Sequence, residues 1–425
     1  MKQNSNRRHL ASLLTAALAA FTLAACRQGE AAGDGPYADK VAADVPKIEA
    51  ALGVKFKTPP KLEIRSRDEV RQFLVGKLQE PGMQKQLANQ EALYKMLGLV
   101  RDTMHLADFY VKVLTEQIMG FYDPKTKVLY VVKDAPEDYV GITIMHELIH
   151  ALQDQYANLD SLEHIEGDDD RQLAAQAVVE GQATYDQAYI MAGGGGNIAA
   201  QLPGGWESIR QMIREAQTTQ PIFASAPMVI QETLLFPYIN GADFIRRFNA
   251  REKGKLPFAD LPVSSEQLMH DSAYFGPSRD IPSEVTLPKI PGTIEENNFG
   301  EFGTRLLVYA HTKDQDASIR ASNGWDGDRY ALVKTSSGDA LVWVTVWDRP
   351  GDAAEFVSAM DQVMRERFNV RPRVNGERRH FDTPKRTVEM DVREIAGRPV
   401  VLYVDVPTGA STDLVDLGKV KVVPR

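Results

Sequence analysis

Residues 142–156 read ITIMHELIHALQDQY, with HELIH at the centre. On a helix, side chains four apart leave from one face about one turn apart, so His146 and His150 can each present a ring nitrogen to a single cation. Glu147 stands beside them. Imidazole suits Zn2+, and a catalytic zinc takes three protein ligands and keeps one position for water. The same stretch has an apolar back. Gly141, Met145, Leu148, Ile149 and Leu152 form a broad stripe that can anchor a helix, while His146, His150 and Asp154 follow a separate four-residue line. Asp154 reads either as a carboxylate orienting a ligand histidine or as an exposed helix charge.

HELIH supplies only two ligands, so the third decides the chemistry. The metzincin pattern needs Gly at 153 and His or Asp at 156. This chain has Gln153 and Tyr156, which excludes that class. His164 lies in the acidic connection NLDSLEHIEGDDD and would ligate only if the loop folded back. Asp168, Asp169 and Asp170 read as a solvated loop and an N-cap for the next helix, expected over 171–192. Glu180 is the better candidate. It sits in AVVEGQAT, on an apolar helix face thirty residues after His150, where a solvated glutamate gains little. The glycine that follows it costs a helix about 1 kcal/mol relative to alanine, a cost that makes sense if another backbone or a metal comes close.

HELIHALQDQ followed by VVEGQAT resembles the gluzincin metallopeptidases, whose two zinc histidines lie on one helix and whose glutamate ligand lies on the next. The chain is closer still to a poorly characterised group of secreted bacterial and archaeal peptidase-like proteins with the patterns HELTHALQDQ, VEGEAT and STEQILHP. SSEQLMHD at 264–271, GADFIRRF at 241–248 and GWDGDRY at 324–330 follow that order here. Asp271 stands where the group has proline. The resemblance implies a zincin-like fold, one Zn2+ per chain on His146, His150 and Glu180, Glu147 as general base, and a peptide or protein substrate. It places GFYDPKTKVLYVV (120–132) like the strand that lines a gluzincin cleft. It also calls for an oxyanion donor outside the zinc helices. His270 and Tyr274 are the nominees, against the plainer reading of a satisfied histidine and a packed tyrosine, with Tyr185 behind them. His105, His311 and His380 have no metal-like spacing. Trp325, Trp343 and Trp347 could line a binding surface, but the alternation of Trp343 and Trp347 on one strand favours core packing.

The chain has 425 residues, 43% hydrophobic and 25% charged, with a formal charge of −9, which excludes nucleic acid as an expected partner. MKQNSNRRH followed by LASLLTAALAAFTLAA has the layout of a signal peptide, and Leu23-Ala24-Ala25-Cys26 resembles the bacterial lipobox. That resemblance implies cleavage after residue 25, lipid on Cys26, and a membrane-anchored protein on the extracytoplasmic side. Arg27 in place of Asp would favour the outer membrane in a cell that has two. Cleavage removes Lys2, Arg7 and Arg8 and takes the formal charge from −9 to −12. Cys26 is the only cysteine, so neither disulfides nor a thiolate metal site are expected.

The expected fold class is α+β. Residues 1–25 are the signal and 26–40 a lipidated cysteine and tether. Residues 41–300 form a largely helical metallopeptidase domain with a small sheet, and 301–425 a small C-terminal domain of ββαββ form. The expected function is a zinc metallopeptidase. Its rivals are a non-catalytic envelope binding protein that keeps the peptidase fold, and a zinc amidase acting on cell-wall peptide.

Overall fold

A computed structural model describes residues 37–162, 165–194 and 220–425. The signal segment, Cys26, His164 and the helix expected over 206–217 lie outside the described residues.

The N-terminal part is helical around a three-stranded sheet. Helix α1 (Ala38–Leu52) leads to β1 (Lys61–Arg65) and α2 (Arg67–Leu78), which opens on a capping box between Ser66 and Glu69. Helices α3 (Pro81–Met96) and α4 (Leu106–Gln117) follow. The break between them falls at Gly98, whose φ of +69° no helix accommodates. Strands β2 (Gly120–Asp123) and β3 (Val128–Val132) form a hairpin, and β1 adds parallel to β3, giving the order β1-β3-β2. Helix α5 (Glu137–Ala157) carries HELIH, and α6 (Leu159–Leu162) follows it. Strand alternation explains why α5 lies where it does. Leu129 and Val131 of the sheet meet Ile144, Met145, Leu148, Ile149 and Leu152 of α5 and Val41 and Ile48 of α1, while Phe121 and Val132 face Val70 and Leu74 of α2.

Helix α7 (Asp169–Met191) carries Glu180; α8 (Pro221–Ala224) and the long α9 (Met228–Arg251) follow. Helices α7 and α9 cross with backbones in contact at Gly181 and Gly241. A Cβ on Gly181 would stand 2.1 Å from the Gly241 carbonyl carbon, and one on Gly241 would stand 2.0 Å from the Ala177 oxygen. The glycine after Glu180 therefore admits another backbone, as its cost suggests.

After the short helices α10 (Ser265–Met269) and α11 (Asp271–Phe275) come β4 (Glu284–Thr286), β5 (Thr293–Asn297), α12 (Gly300–Thr312) and α13 (Gln315–Ser322). The hairpin β6 (Trp325–Thr335) and β7 (Gly338–Trp347), α14 (Pro350–Phe368), β8 (Arg373–Asn375), β9 (Arg378–Asp382), β10 (Arg386–Ile395), β11 (Arg398–Pro407) and β12 (Lys421–Val423) complete the chain. Seven strands form one antiparallel sheet in the order β5-β6-β7-β11-β10-β9-β8. On β7, Leu341, Trp343 and Trp347 turn toward α14, and Val342, Val344 and Val346 turn toward the small layer made by β4 and β12. The three tryptophans are core residues, each at most 1% exposed.

The α+β class holds, with two corrections to the C-terminal part. Its sheet contains β5 and is covered by β4, so the unit begins before residue 300, and β8–β9 extend the expected ββαββ pattern by another hairpin. The largest hydrophobic cluster runs from Leu87, Leu93 and Tyr110 through Phe302 and Leu306 to Trp343 and Tyr403, so the helical part and the sheet share one core.

Candidate metal centre

Helix α5 buries its apolar stripe and turns His146, Glu147 and His150 toward a cleft of about 540 Å³ between the β2 edge, α7 and α9. Glu180 enters from α7. Its Oε2 lies 3.2 Å from His146 Nε2 and 3.4 Å from His150 Nε2. Ligand atoms about 2.0–2.2 Å from a tetrahedral ion stand about 3.3–3.6 Å from one another; the 3.4 Å spacing falls in that range and the 3.2 Å spacing just below it. Among the described residues this is the one group of three or more His, Cys, Asp or Glu ligand atoms close enough together to share an ion.

The other ring nitrogens are also engaged. His150 Nδ1 faces Gln153 Oε1 at 2.7 Å, and His146 Nδ1 faces Gln187 Oε1 at 3.3 Å. Neither amide is free to turn round. Gln153 Nε2 donates to the Val179 carbonyl at 3.0 Å and to Gln182 Oε1 at 3.1 Å, and Gln187 Nε2 donates to the Ile142 carbonyl at 2.7 Å. Each glutamine thus presents its oxygen to a histidine, which keeps a proton on Nδ1 and makes Nε2 the nitrogen that faces Glu180 and is open to a metal once its own proton is displaced.

The electrostatics of the group are those of a site for positive charge. Burial alone would raise the Glu180 carboxyl. The His150 ring, and then His146, outweigh it and hold Glu180 below the usual carboxylate range. Burial works against a charge on His150, but Glu180 outweighs it and lifts the ring above the usual imidazole range. Glu147 is different. Burial is the main influence on it and raises its carboxyl, Glu180 adds to the rise, and the two rings offset part of it. Its Oε2 accepts the Tyr122 N–H at 2.8 Å, which fastens it to strand β2.

Tyr238 of α9, which the sequence reading did not single out, lines the same cleft. Its ring stacks on His146 at 6.2 Å and 26°, and its phenol lies close enough to Glu180 to feel that carboxylate. Burial, with the charges of Glu180 and Glu147, raises this phenol and keeps it a donor.

Two nominees lie elsewhere. His270 Nε2 sits 2.9 and 3.0 Å from the oxygens of buried Glu301, and Tyr274 donates to the Asp260 carbonyl beneath Arg279. Neither lines the cleft. SSEQLMHD folds instead as a brace. Ser264 caps α10, Ser265 N–H donates to Asp170 at 2.9 Å, and Asp271 pairs with Arg247 and Arg251 of α9. The two arginines account for aspartate at a position where the related pattern has proline. Tyr185 is also absent from the cleft lining.

Asp154 fits neither of its two readings. It is buried, accepts from Tyr122 Oη at 2.7 Å, Lys127 Nζ at 2.6 Å and Leu159 N–H at 2.9 Å, and fastens α5 to the hairpin without touching a histidine. Asp168 caps α7 as expected, whereas Asp170 is buried rather than solvated, and burial pushes its carboxyl up to about 8.

The family model described as "Domain of unknown function (DUF8575)" matches residues 286–416. That span covers the seven-stranded sheet and leaves out both α5 and α7. No curated protein and no solved structure matches the chain.

Proposed function

We propose that this chain is a zinc-dependent peptidase of gluzincin type, held on the extracytoplasmic face of a membrane by lipid on Cys26. The observation that carries the enzymatic reading is the convergence of His146 and His150 of α5 and Glu180 of α7, whose ligand atoms lie within 4.8 Å of one another, with Glu147 one residue from the first of them and a cleft in front.

His146 Nε2, His150 Nε2 and a Glu180 oxygen would hold the ion. Zinc bound there supplies a Lewis acid that polarises the scissile carbonyl and acidifies a water. Glu147, kept off the metal by its bond to the Tyr122 N–H, faces the space where that water would stand. Its raised proton affinity suits it to take the water's proton and pass it to the leaving amine. Tyr238 replaces His270 and Tyr274 as donor to the carbonyl oxygen as it gains charge, because its hydroxyl is the one beside the ligands.

The full chain, purified in detergent, should carry one zinc by mass spectrometry, and Glu180→Ala should weaken zinc binding by at least about 100-fold. Apparent affinity should also fall as pH is lowered, because zinc must displace the proton that Glu180 holds on His150. A chain that takes up no zinc after reconstitution, or that keeps full affinity without Glu180, would sink the reading.

Among the described residues no helix is long and apolar enough to cross a membrane. Attachment in this proposal depends on Cys26. Cys26→Ser should move the protein from the membrane to the soluble fraction and abolish labelling with radioactive fatty acid, and a serine variant that remains in the membrane pellet would refute the anchor.

A further inference from the structure

A second cleft, of about 130 Å³, lies at the N-terminal end of α7, among α3, α9 and the edge strand β5. The described residues that line it include three carboxylates, Asp169, Asp170 and Glu295. Neutral groups hold two of them. Asn89 Nδ2 donates to Glu295 at 2.8 Å, and the Ser265 N–H donates to Asp170 at 2.9 Å. Asp169 is exposed. Burial first, and then the charges of Asp169 and Glu295, raise the Tyr330 phenol of the same lining, so both carboxylates stand near one ring. Arg329 acts on Asp169 from outside the lining, while its guanidinium donates to the Gly167 carbonyl at 2.5 Å.

Two acceptors in this lining are unmet. Gln86 Oε1 and Gln172 Oε1 are buried without a hydrogen-bond partner, and Gln172 as a whole is only 6% exposed. A buried amide oxygen with no donor is costly, so the pair points to a donor that enters from outside. The neighbouring carboxylates favour a donor that carries positive charge.

The rest of the lining selects the kind of cation. Asp169, Asp170 and Glu295 do not converge closely enough to share a metal ion. An ammonium group is less demanding, because its three N–H donors point to separate acceptors. Leu87, Leu93, Val229 and Phe302 give the walls apolar surface, which an alkyl stem gains by covering. The volume is well below the roughly 300 Å³ at which sites for drug-sized molecules begin, so the occupant is the size of one side chain.

We propose that this cleft binds a primary ammonium group on a short apolar stem. Asp169 and Glu295 supply the counter-charge, and Gln86 and Gln172 accept its N–H bonds. A free small amine and a lysine side chain of a polypeptide present the same chemistry. Gln176 lines both this cleft and the one at Glu180, so the occupant rests on the helix that carries a candidate metal ligand. The site stands without the peptidase reading.

The test is a ligand-observed NMR titration of the full chain in detergent. The probes are butylammonium, butanol as its neutral counterpart, and lysine blocked by acetyl and methylamide groups. At least one amine should bind saturably, with butanol at least about tenfold weaker. Tighter binding of butylammonium assigns the site to free amines, and tighter binding of blocked lysine assigns it to polypeptide. Asp169→Asn and Glu295→Gln should each weaken the amine by at least about tenfold, with the melting temperature as the control for folding. Glutamine at 295 keeps an acceptor for Asn89 Nδ2. Glu296→Gln, outside the lining, should leave affinity unchanged. No saturable binding of either amine would overturn the proposal. So would butanol binding as tightly as the amines, or full affinity in both folded variants. The comparison of amine with butanol on the parent chain decides the matter even where a variant unfolds.

Discussion

Glu147→Gln should leave the zinc content unchanged and lower the rate of peptide hydrolysis by about 10²–10⁴, the range supplied by a positioned general base. Glutamine matches glutamate in shape and can still accept the Tyr122 N–H that now ends at Glu147 Oε2. The proposed ligands are His146, His150 and Glu180, so the metal would lose no donor. What glutamine lacks is the ability to hold a proton between the two halves of the reaction. The substitution also relieves a buried group whose ionised form is disfavoured by its surroundings, so the variant should be at least as stable as the parent. Metal content, thermal unfolding and hydrolysis of a peptide substrate read the three consequences separately. A variant that keeps its zinc and its rate would remove Glu147 from the chemistry, and one that loses zinc would make it part of the metal site.

The three candidate metal ligands can be read from the sequence because each depends on a short-range rule. The four-residue step puts His146 and His150 on one face of α5, and a glutamate followed by a helix-weakening glycine marks Glu180. The glutamines behave differently. Gln153 is three residues from His150, and the bonds from its Nε2 to the Val179 carbonyl and Gln182 Oε1 of α7 fix which end of the amide meets the ring. Gln187 depends in the same way on the Ile142 carbonyl of α5. Such partners arise from the packing of two helices, and no spacing within one helix encodes them. Tyr238 escaped for the same reason. Its position follows from the crossing of α7 and α9: Gly241 meets Gly181, and Tyr238 precedes Gly241 by about one turn, which brings it to Glu180. His270 and Tyr274 were nominated because they sit in a recognisable motif, but the motif's serines, its Asp271 and its histidine are engaged in bracing α9 and α12. One strand of the C-terminal sheet lies before the expected boundary at residue 300. TIEEN at 293–297 is too polar and short to stand out, and it becomes a strand by pairing with β6.

The crossing of α7 and α9 yields the other large prediction, and two effects of opposite sign compete in it. In an ordinary helix, Gly181→Ala would stabilise by about 1 kcal/mol through propensity. Here the new Cβ would stand 2.1 Å from the Gly241 carbonyl carbon, where non-bonded carbons need about 3.5 Å. The obstacle is backbone, so no rotamer change relieves it, and the helices must part by more than about 1 Å. Overpacking of this kind costs about 1–3 kcal/mol and occasionally more, which exceeds the gain in propensity. Glu180 is the adjacent residue, and metal sites tolerate displacements of only about 0.5 Å, so zinc affinity should fall along with stability, by at least about tenfold. Gly76 in α2 supplies the contrast. A Cβ there meets nothing within 4 Å and its φ is not left-handed, so Gly76→Ala should raise the melting temperature while leaving zinc affinity alone. Thermal unfolding and zinc competition on the two alanine variants together decide the matter. Opposite shifts in stability, with zinc weakened only in Gly181→Ala, are what backbone contact at Gly181 requires. A stabilised Gly181→Ala that keeps its zinc would mean the helices do not meet there.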